Sequence, residues 1–424
     1  MSKRVLAVAA FCAGLAATTL LDRVMSRVQA QQAPGAGFAA IPGQKGGQDI
    51  HGPYDVVRNW PQPMSASLPD HDTWTWSVTM DVFAESPNKV FLVQKGELPL
   101  FAKRPPSVRL PQVGPGLEFP VFRLPLRQAG GAIPNGDERD NPANGREGVD
   151  WRWRNNVVTV NAEGKIVDSW TQWDNIWVRP HDVEISPYDP QKNVWIVDAE
   201  GHAVYKFSND GKKLLLTLGT PREAGDDDRH FRRPTFLVFM DANTMYLADG
   251  YDNTRVIKYD MNGKKLLQWG QAGAPGGNEK RPGYWNNVHG IAVDPTTRRV
   301  YVNDRQNSRV QIFDENGTYL DEWNFGPRPP MDIHSFIVTG DRKLWAADQG
   351  THKILGYDLN GHFLYSWGSW GEYPGGMWGV HGLSTDQDGN FYVAEVNNGR
   401  IQKYRPRQGA NPAFLVGKPW KGVW

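Results

Sequence analysis

Cysteine is almost absent from this chain of 424 residues, since Cys12 is the only one. A disulfide framework, a cysteine-based zinc site and a cysteine nucleophile are therefore excluded for any product cleaved after Cys12. Excess charge is absent too, because 47 Lys and Arg face 46 Asp and Glu, for a net charge of +1. Proteins that bind nucleic acid or a membrane surface carry a basic patch. We therefore expect no nucleic acid as a partner, and no membrane contact beyond an N-terminal anchor.

Long apolar runs are lacking outside the N-terminus. There, Lys3 and Arg4 precede an apolar stretch rich in Ala and Leu, and a small-residue site ends at Ala30. This pattern predicts a secretory signal peptide over residues 1–30, followed by a flexible linker over residues 31–52. We therefore expect a secreted or periplasmic protein. An uncleaved membrane anchor is the alternative, because the apolar stretch is just long enough to cross a bilayer.

A short strand that ends in an acidic residue recurs along the rest of the chain. The 45 Gly and 31 Pro, together with 18 Trp and 14 Tyr, already indicate a β-rich chain with many turns. A second strand follows each of these strands. In four of the five repeats an Asp-Gly or Asn-Gly pair comes next, which favours a type I′ hairpin with positive φ at both residues. The five acid-ended strands are Val194–Asp198, Met245–Asp249, Val300–Asp304, Leu344–Asp348 and Asn390–Glu395.

One further copy precedes these five. Its second strand is Val90–Gln94, and Asn156–Trp170 completes it after a long insertion at about residues 97–150. Six copies of a four-stranded unit predict an all-β fold, a six-bladed β-propeller over residues 53–424 with antiparallel blades. Tyr54–Trp60 resembles an outermost strand, and we expect it to close the ring against the last blade.

Four of the ten histidines share one position of the repeat, the start of the innermost strand: His181, His289, His334 and His381. Innermost strands line the channel of a propeller, so these side chains lie near one mouth. His181, His289 and His381 belong to alternate blades. Three imidazoles at about 120° can hold a divalent metal and leave a fourth position open. The alternative is a purely structural role, and His334 is a fourth ligand, a substrate-binding group or a structural residue.

Two residues follow acid-ended strands at the same mouth. Tyr251 lies two positions after Asp249, and Arg305 directly follows Asp304. A tyrosine near a divalent cation and an arginine can act as a proton acceptor. The alternatives are an edge tyrosine that packs between blades and an arginine that forms a local ion pair.

With these residues in place, the sequence resembles the NHL-repeat propellers and is similar, over about residues 74–405, to the peptidyl-α-hydroxyglycine α-amidating lyase family. The most specific matches are Ala248–Val256, the His289-Gly-Ile-Ala-Val segment and Asn303–Gln311. In that family three histidines hold a catalytic zinc. The resemblance implies that the zinc ligands are His181, His289 and His381, that Tyr251 is the catalytic tyrosine and that Arg305 is an active-site arginine.

The chain departs from the family pattern at several positions. Lys95 matches the second active-site arginine, so the resemblance implies that Arg305 and Lys95 hold the carboxylate side of the substrate. Lysine keeps the charge but lacks the planar fork that grips a carboxylate. Asp252 replaces a cysteine, so the disulfide of the family is absent. The family also has a structural calcium held by an aspartate where this chain has Gly382, and Asp182 is a candidate substitute across the channel.

The resemblance implies an exported, monomeric, zinc-dependent lyase. It would cleave the C–N bond of an α-hydroxyglycine-type amide, from a small molecule or a peptide, into an amide and glyoxylate. The first alternative is a non-catalytic propeller that binds a ligand or a protein. A calcium-dependent hydrolase of lactones or esters is the second. A complete buried triad beside Tyr251 favours the enzyme, whereas a channel plugged by residues 97–150 favours the binding module.

Overall fold

The computed structural model describes residues 50–100, 107–109, 118–120, 147–274, 279–326 and 331–420. The predicted signal peptide, most of the predicted linker and most of the 97–150 insertion lie outside these ranges, so those predictions stay untested. Within these ranges there is no helix that could serve as a membrane span.

Six four-stranded antiparallel sheets surround a central channel, which confirms the all-β, six-bladed propeller. In the described residues all helical turns are short 3₁₀ segments: Met64–Ala66, Thr171–Trp173, Arg305–Asn307 and Pro412–Phe414. From the channel outward, the blade strands are Thr79–Ser86, Lys89–Gln94, Val157–Val160 and Ile166–Ser169 (blade 1); Pro180–Ile185, Val194–Asp198, Ala203–Phe207 and Leu214–Leu218 (blade 2); Pro234–Phe239, Thr244–Asp249, Arg255–Asp260 and Lys265–Trp269 (blade 3); Val288–Asp294, Arg299–Asp304, Arg309–Asp314 and Tyr319–Asn324 (blade 4); Ile333–Val338, Lys343–Asp348, Lys353–Asp358 and Phe363–Trp367 (blade 5); and Val380–Thr385, Phe391–Glu395, Arg400–Pro406 and Tyr54–Val56 (blade 6).

Three two-stranded sheets supplement the blades. Two are antiparallel and the third is parallel. Their strands are Trp74–Trp76 with Glu97–Pro99, Ser107–Arg109 with Glu118–Pro120, and Gln271–Ala272 with Tyr284–Trp285.

The first described strand closes the ring, as predicted. Tyr54–Val56 pairs antiparallel with Arg400–Pro406 and is therefore the outermost strand of blade 6. The prediction placed its end at Trp60, whereas the strand ends at Val56. The innermost strands of blades 6 and 1 also contact each other, and the Thr79 hydroxyl of blade 1 donates a 2.7 Å hydrogen bond to a blade 6 carbonyl. Residues more than 300 positions apart thus join one ring.

The prediction of type I′ turns is wrong. In blade 3 only Gly263 of the Asn262-Gly263 pair has a positive φ, of 86°. The amide of Gly263 donates to the carbonyl of Asp260, and the register shifts by one residue beside the turn, which is a type I turn with a bulged glycine. The reason is the side chain of Asp260, whose Oδ1 accepts the amides of Asn262 and Lys264. Asp314 and Asp358 make the same two bonds in blades 4 and 5.

These turn glycines also form contacts between blades. A Cβ atom on Gly317 of blade 4 would lie 2.8 Å from Cδ2 of Trp269, on the outermost strand of blade 3. Such a separation is shorter than van der Waals contact, so only glycine allows the indole to cover the turn. The same arrangement recurs between other neighbouring blades, at Gly211 with Trp170 and at Gly361 with Trp323.

The acidic residues that define the repeat have a structural role. Asp198 is buried, and its two carboxylate oxygens accept the amides of Val178 and Arg179 at 2.7 Å each. In the later blades the equivalent acids accept an amide from the same loop, the one that leads into the innermost strand. The repeating acid therefore fixes the entry of the innermost strand in blades 2 to 6, where the histidines are placed.

The inter-blade contact of Gly317 predicts a difference between two glycine substitutions. Gly409 also has a positive φ, of 75°, but a Cβ there would meet no atom within 4 Å. We expect Gly409→Ala to lower the free energy of unfolding by about 1 kcal/mol through backbone strain alone. Gly317→Ala should lower it by about 2 kcal/mol or more, because the methyl group also displaces Trp269. Urea unfolding of both variants measures this, and equal losses would contradict the packing role.

Candidate metal centre and active site

A β-bulge at the start of each innermost strand positions the candidate site. In all six blades the innermost strand has one more residue than its neighbour at this point. A bulge leaves the extra residue out of the ladder and re-aims its side chain. His181, His289 and His381 occupy this position in blades 2, 4 and 6. The bulges therefore turn these side chains into the channel.

The three predicted metal ligands lie together. His181, His289 and His381 are buried, and one nitrogen atom of each lies within 4.8 Å of those of the other two. Their ring centroids are 4.7 to 5.2 Å apart. Within the described residues, these three histidines are the one group of His, Cys, Asp or Glu side chains placed closely enough to hold a metal ion.

The backbone of the next blade fixes the tautomer of each ring. Nδ1 of His181 lies 2.9 Å from the carbonyl of Thr235, and Nδ1 of His381 lies 2.7 Å from the carbonyl of Met80. Nδ1 of His289 lies 2.5 Å from the carbonyl of His334. A carbonyl only accepts, so Nδ1 carries the proton and the Nε2 lone pair of each ring points inward. Three neutral imidazole nitrogens are a donor set that suits zinc.

Tyr251 lies against this triad, as expected. Its hydroxyl is 3.0 Å from Nε2 of His181 and 2.8 Å from Nε2 of His289. One phenolic proton can serve only one of these lone pairs, and Nε2 of His381 is buried without a hydrogen-bond partner. The cluster therefore offers more acceptors than donors, which is the condition that a bound cation satisfies. Gly250 makes the approach of Tyr251 feasible, because a Cβ there would collide with the Val288 carbonyl oxygen.

All four channel histidines favour the neutral state. Burial lowers the pKa of His181, of His289 and of His334 well below 6.5, and neighbouring histidines and arginines lower it further. Burial also lowers the pKa of His381 to about 3, with a further contribution from Arg305. Neutral imidazoles are the form that binds metals.

A cavity of about 330 Å³ opens above the triad. Arg305 lines it but does not pair with Asp304. The guanidinium donates instead from Nε and Nη2 to both carboxylate oxygens of Asp332, at 2.9 and 3.0 Å. Nη2 also lies 2.7 Å from Nε2 of His334, which must accept because a guanidinium only donates. Nε2 of His334 is therefore engaged by Arg305, and its Nδ1 is buried without a hydrogen-bond partner.

Two further arginines, which the sequence analysis did not identify, also line the cavity. Arg179 and Arg233 lie over the ring of Tyr251, with guanidinium-to-centroid distances of 5.4 and 4.7 Å. Both donate to the same oxygen of Glu200, at 2.8 Å each. The signal was present in the sequence, since an Arg-Pro pair immediately precedes the bulge in blades 2 and 3.

Lys95 is buried but does not line the cavity. Its charge acts on Glu200. Burial would raise the pKa of Glu200, but Arg179, Arg233 and Lys95 outweigh it and lower that pKa below its usual value. The predicted role of Lys95 as a direct substrate ligand stays a prediction. None of the described residues of the 97–150 insertion lines the cavity either.

An aromatic side chain packs against the triad inside the channel. The ring of Phe236, at the blade 3 bulge, lies 5.1 to 5.6 Å from the rings of the three histidines. A second, mainly apolar cavity lies on the other side of Phe236, and its wall includes Phe336, Leu383 and Trp420. Phe236 therefore separates the candidate metal site from the opposite mouth.

Two buried aspartates lie beside the triad, where the resemblance implied a calcium. A Cβ on Gly382 would collide with the carboxylate of Asp81, so Asp81 fills the space of the missing side chain. Asp182 accepts the amide of Leu237 at 2.9 Å through one oxygen, and its carboxyl group also makes a side-chain hydrogen bond with Asp81. Burial raises the pKa of Asp81 to about 7. A structural calcium at this point stays a prediction.

Comparisons with family models agree with this architecture. A model of a six-bladed β-propeller matches residues 288–367, and an NHL repeat model matches residues 377–404. Together with the six blades, these matches define the class of the molecule, which is a six-bladed β-propeller with an NHL-repeat match in its sixth blade.

Within this class the chain resembles the peptidyl-α-hydroxyglycine α-amidating lyases. It is 31% identical over 276 residues to the Drosophila melanogaster protein named peptidyl-α-hydroxyglycine α-amidating lyase 1, covering 60% of this chain and 49% of that protein. A probable lyase of the same name from Caenorhabditis elegans is 25% identical, with 59% and 69% covered. NHL repeat-containing protein 3 of Mus musculus is 28% identical, with 61% and 75% covered. The chain thus spans about half the length of the Drosophila relative.

The depressed pKa of His381 predicts how the stability of the metal-free protein depends on pH. The unfolded pKa is about 6.5 and the folded pKa about 3, so between these values the unfolded chain binds one proton more. The stabilisation is complete above pH 6.5 and is lost as the pH falls towards 3. His381→Gln should reduce the slope of unfolding free energy against pH in this window by about 1.4 kcal/mol per pH unit. Urea unfolding with a chelator at pH 7, 6 and 5 measures it, and an unchanged slope would contradict the assignment.

Proposed function

We propose that this chain is a zinc-dependent lyase that cleaves the C–N bond of an α-hydroxyglycine-type amide to an amide and glyoxylate. One observation carries the proposal: three buried imidazoles each place one ring nitrogen within 4.8 Å of those of the other two, and the Tyr251 hydroxyl lies 3.0 and 2.8 Å from Nε2 of His181 and His289. The all-nitrogen donor set favours zinc over calcium or magnesium, which prefer oxygen ligands. The resemblance to the amidating lyases supports the reaction class.

The residues of the chain supply the proton transfers of this reaction. A bound zinc ion would act as a Lewis acid that stabilises negative charge on the substrate oxygen. The deprotonated oxygen of Tyr251 accepts the proton of the α-hydroxyl group. The electron pair of the C–N bond then moves to nitrogen as the carbonyl of glyoxylate forms. Tyr251 returns the proton to the nitrogen, so the atoms of the substrate are divided between the two products without any co-reactant.

Arg305 is the residue that we assign to the glyoxylate side of the substrate. It lines the cavity, and the two bonds to Asp332 hold the plane of its guanidinium. A planar guanidinium in a fixed orientation suits a carboxylate. Lys95 is buried and is not part of the cavity lining, and its charge acts on Glu200, which binds Arg179 and Arg233. Our proposal also includes export through the N-terminal leader and a monomeric state.

A non-catalytic binding propeller is the second candidate. It is favoured by the similarity to NHL repeat-containing protein 3 and by Lys95, which replaces an arginine of the lyase pattern. The two candidates differ in the measurements that follow.

The triad predicts a stoichiometric metal content. We expect about one zinc per chain after purification and dialysis, and its loss in His289→Ala, because two imidazoles do not complete the site. His362→Ala is the matched control, since His362 lies on an exposed turn of blade 5 with a side chain 76% exposed. Plasma mass spectrometry measures the metal. Absence of zinc from the wild-type chain after reconstitution would favour the binding propeller.

Tyr251 predicts a separation of metal binding from turnover. Tyr251→Phe removes the proton acceptor and leaves the three imidazoles in place. Zinc content should therefore stay near one per chain, while kcat on an α-hydroxyglycine amide falls by about 100-fold or more. Glyoxylate release measures turnover. Full turnover with bound zinc would remove Tyr251 from the mechanism.

A further inference from the structure

His334 shares the repeat position of the three triad histidines but lies apart from their donor set. It occupies the bulge of blade 5, between the blades that carry His289 and His381. Its ring is buried, with its centroid 5.5 Å from that of His289 and 5.0 Å from that of His381. Within the described residues, the group of side chains close enough to hold a metal nevertheless leaves His334 out. The fourth imidazole therefore needs another explanation.

Arg305 engages the lone pair of this fourth imidazole. Nη2 of Arg305 lies 2.7 Å from Nε2 of His334, and Nε2 must accept because a guanidinium only donates. A neutral imidazole has one nitrogen that accepts and one that carries the proton. The nitrogen that a metal would require is thus already bonded to Arg305, and the proton lies on Nδ1.

Two residues of the same segment hold the guanidinium of Arg305. Nε and Nη2 donate to the two carboxylate oxygens of Asp332, at 2.9 and 3.0 Å, and Nη2 also donates to His334. Nη2 has two hydrogens, so each of them has an acceptor. The segment itself is anchored, since the amide of Asp332 donates to the buried Asp348 at 2.8 Å. Asp332 sets the plane of the guanidinium, and His334 adds a contact from a second direction.

The backbone of His334 serves the triad at the same time. Its carbonyl lies 2.5 Å from Nδ1 of His289 and accepts that proton. His334 therefore orients one imidazole of the triad through its carbonyl and the cavity arginine through its ring. An α-hydroxyglycine carries its hydroxyl and its carboxylate on the same carbon atom. The groups that bind them must keep a fixed separation, because small misplacements of reacting groups are costly.

We propose that His334 is a positioning residue, whose imidazole holds the guanidinium of Arg305 at the separation from the triad that the hydroxyl and carboxylate of an α-hydroxyglycine require. It is not a fourth metal ligand. This inference rests on the proposed function, which places the carboxylate at Arg305. The role requires an acceptor at the position of Nε2. Glutamine supplies one at a similar reach, whereas phenylalanine fills the space of the ring without one.

Substitutions of the side chain test this role, because they leave the carbonyl that serves His289. In His334→Phe we expect zinc to stay near one per chain, KM for an N-acyl-α-hydroxyglycine to rise about tenfold, and kcat to fall by no more than about threefold. His334→Gln should restore most of the KM. In an Arg305→Gln background, His334→Phe should have no further effect on KM. His362→Phe, on an exposed turn of the same blade, is the control and should behave as wild type.

A binding measurement separates this proposal from the proposed reaction. N-acetylglycine lacks the hydroxyl group and is not cleaved, and N-acetylglycinamide is its neutral partner. Calorimetry on the zinc-loaded protein should show about tenfold tighter binding of the acid, with this preference lost in His334→Phe and kept in His334→Gln. Such a pattern without turnover of any α-hydroxyglycine amide would reject the reaction and retain the positioning role.

Three results would overturn the positioning role. Loss of zinc from His334→Phe would make His334 a metal ligand. An unchanged preference for the acid in that variant would show that Arg305 does not need the imidazole. Equal affinity of the wild-type protein for both ligands would remove the carboxylate from Arg305. If His334→Phe does not fold, His334→Asn makes the same comparison, because its shorter side chain places no acceptor at the position of Nε2.

Discussion

The site depends on a single extra residue at the start of each innermost strand. That residue leaves the ladder, so its side chain turns into the channel, and its carbonyl becomes available to the neighbouring blade. Blades 2, 4 and 6 contribute imidazoles, whereas blades 3, 5 and 1 contribute the carbonyls that hold Nδ1. The orientation of each imidazole thus depends on the backbone of the next blade. The arrangement works only if all six blades keep the same bulge and the same radial position.

The site is therefore complete only when the ring of blades closes. The carbonyl that fixes His381 belongs to Met80, on the first blade of the chain. The outermost strand of blade 6 is Tyr54–Val56, which precedes blade 1 in the sequence. The inter-blade contacts of the turn glycines and the buried acids of the second strands keep the radial spacing. Substitutions at these glycines or acids can thus alter the triad, because they change the distance between neighbouring innermost strands.

The fold could be predicted because its units repeat. Acid-ended strands recur at nearly constant spacing, and the histidines share one position within that repeat, which also brought His181, His289 and His381 together. The bulge could not be predicted, because it is a property of two paired strands. The turn type was wrong because the carboxylate of Asp260 fixes the loop more strongly than the Asn-Gly preference. Arg179 and Arg233 were missed although they share a repeat position, because their importance depends on Tyr251, which another loop supplies.

Phe236 affects how small molecules could enter and leave the channel. Its ring lies beneath all three histidines and divides the axis into two compartments. The ring therefore stands between the cavity that Tyr251 lines and the apolar cavity at the other end of the channel. Under the proposed lyase reaction, the substrate would enter and both products would leave on the Tyr251 side. The product bound nearer that opening would then leave first, so the depth at which each group binds would set the order of release.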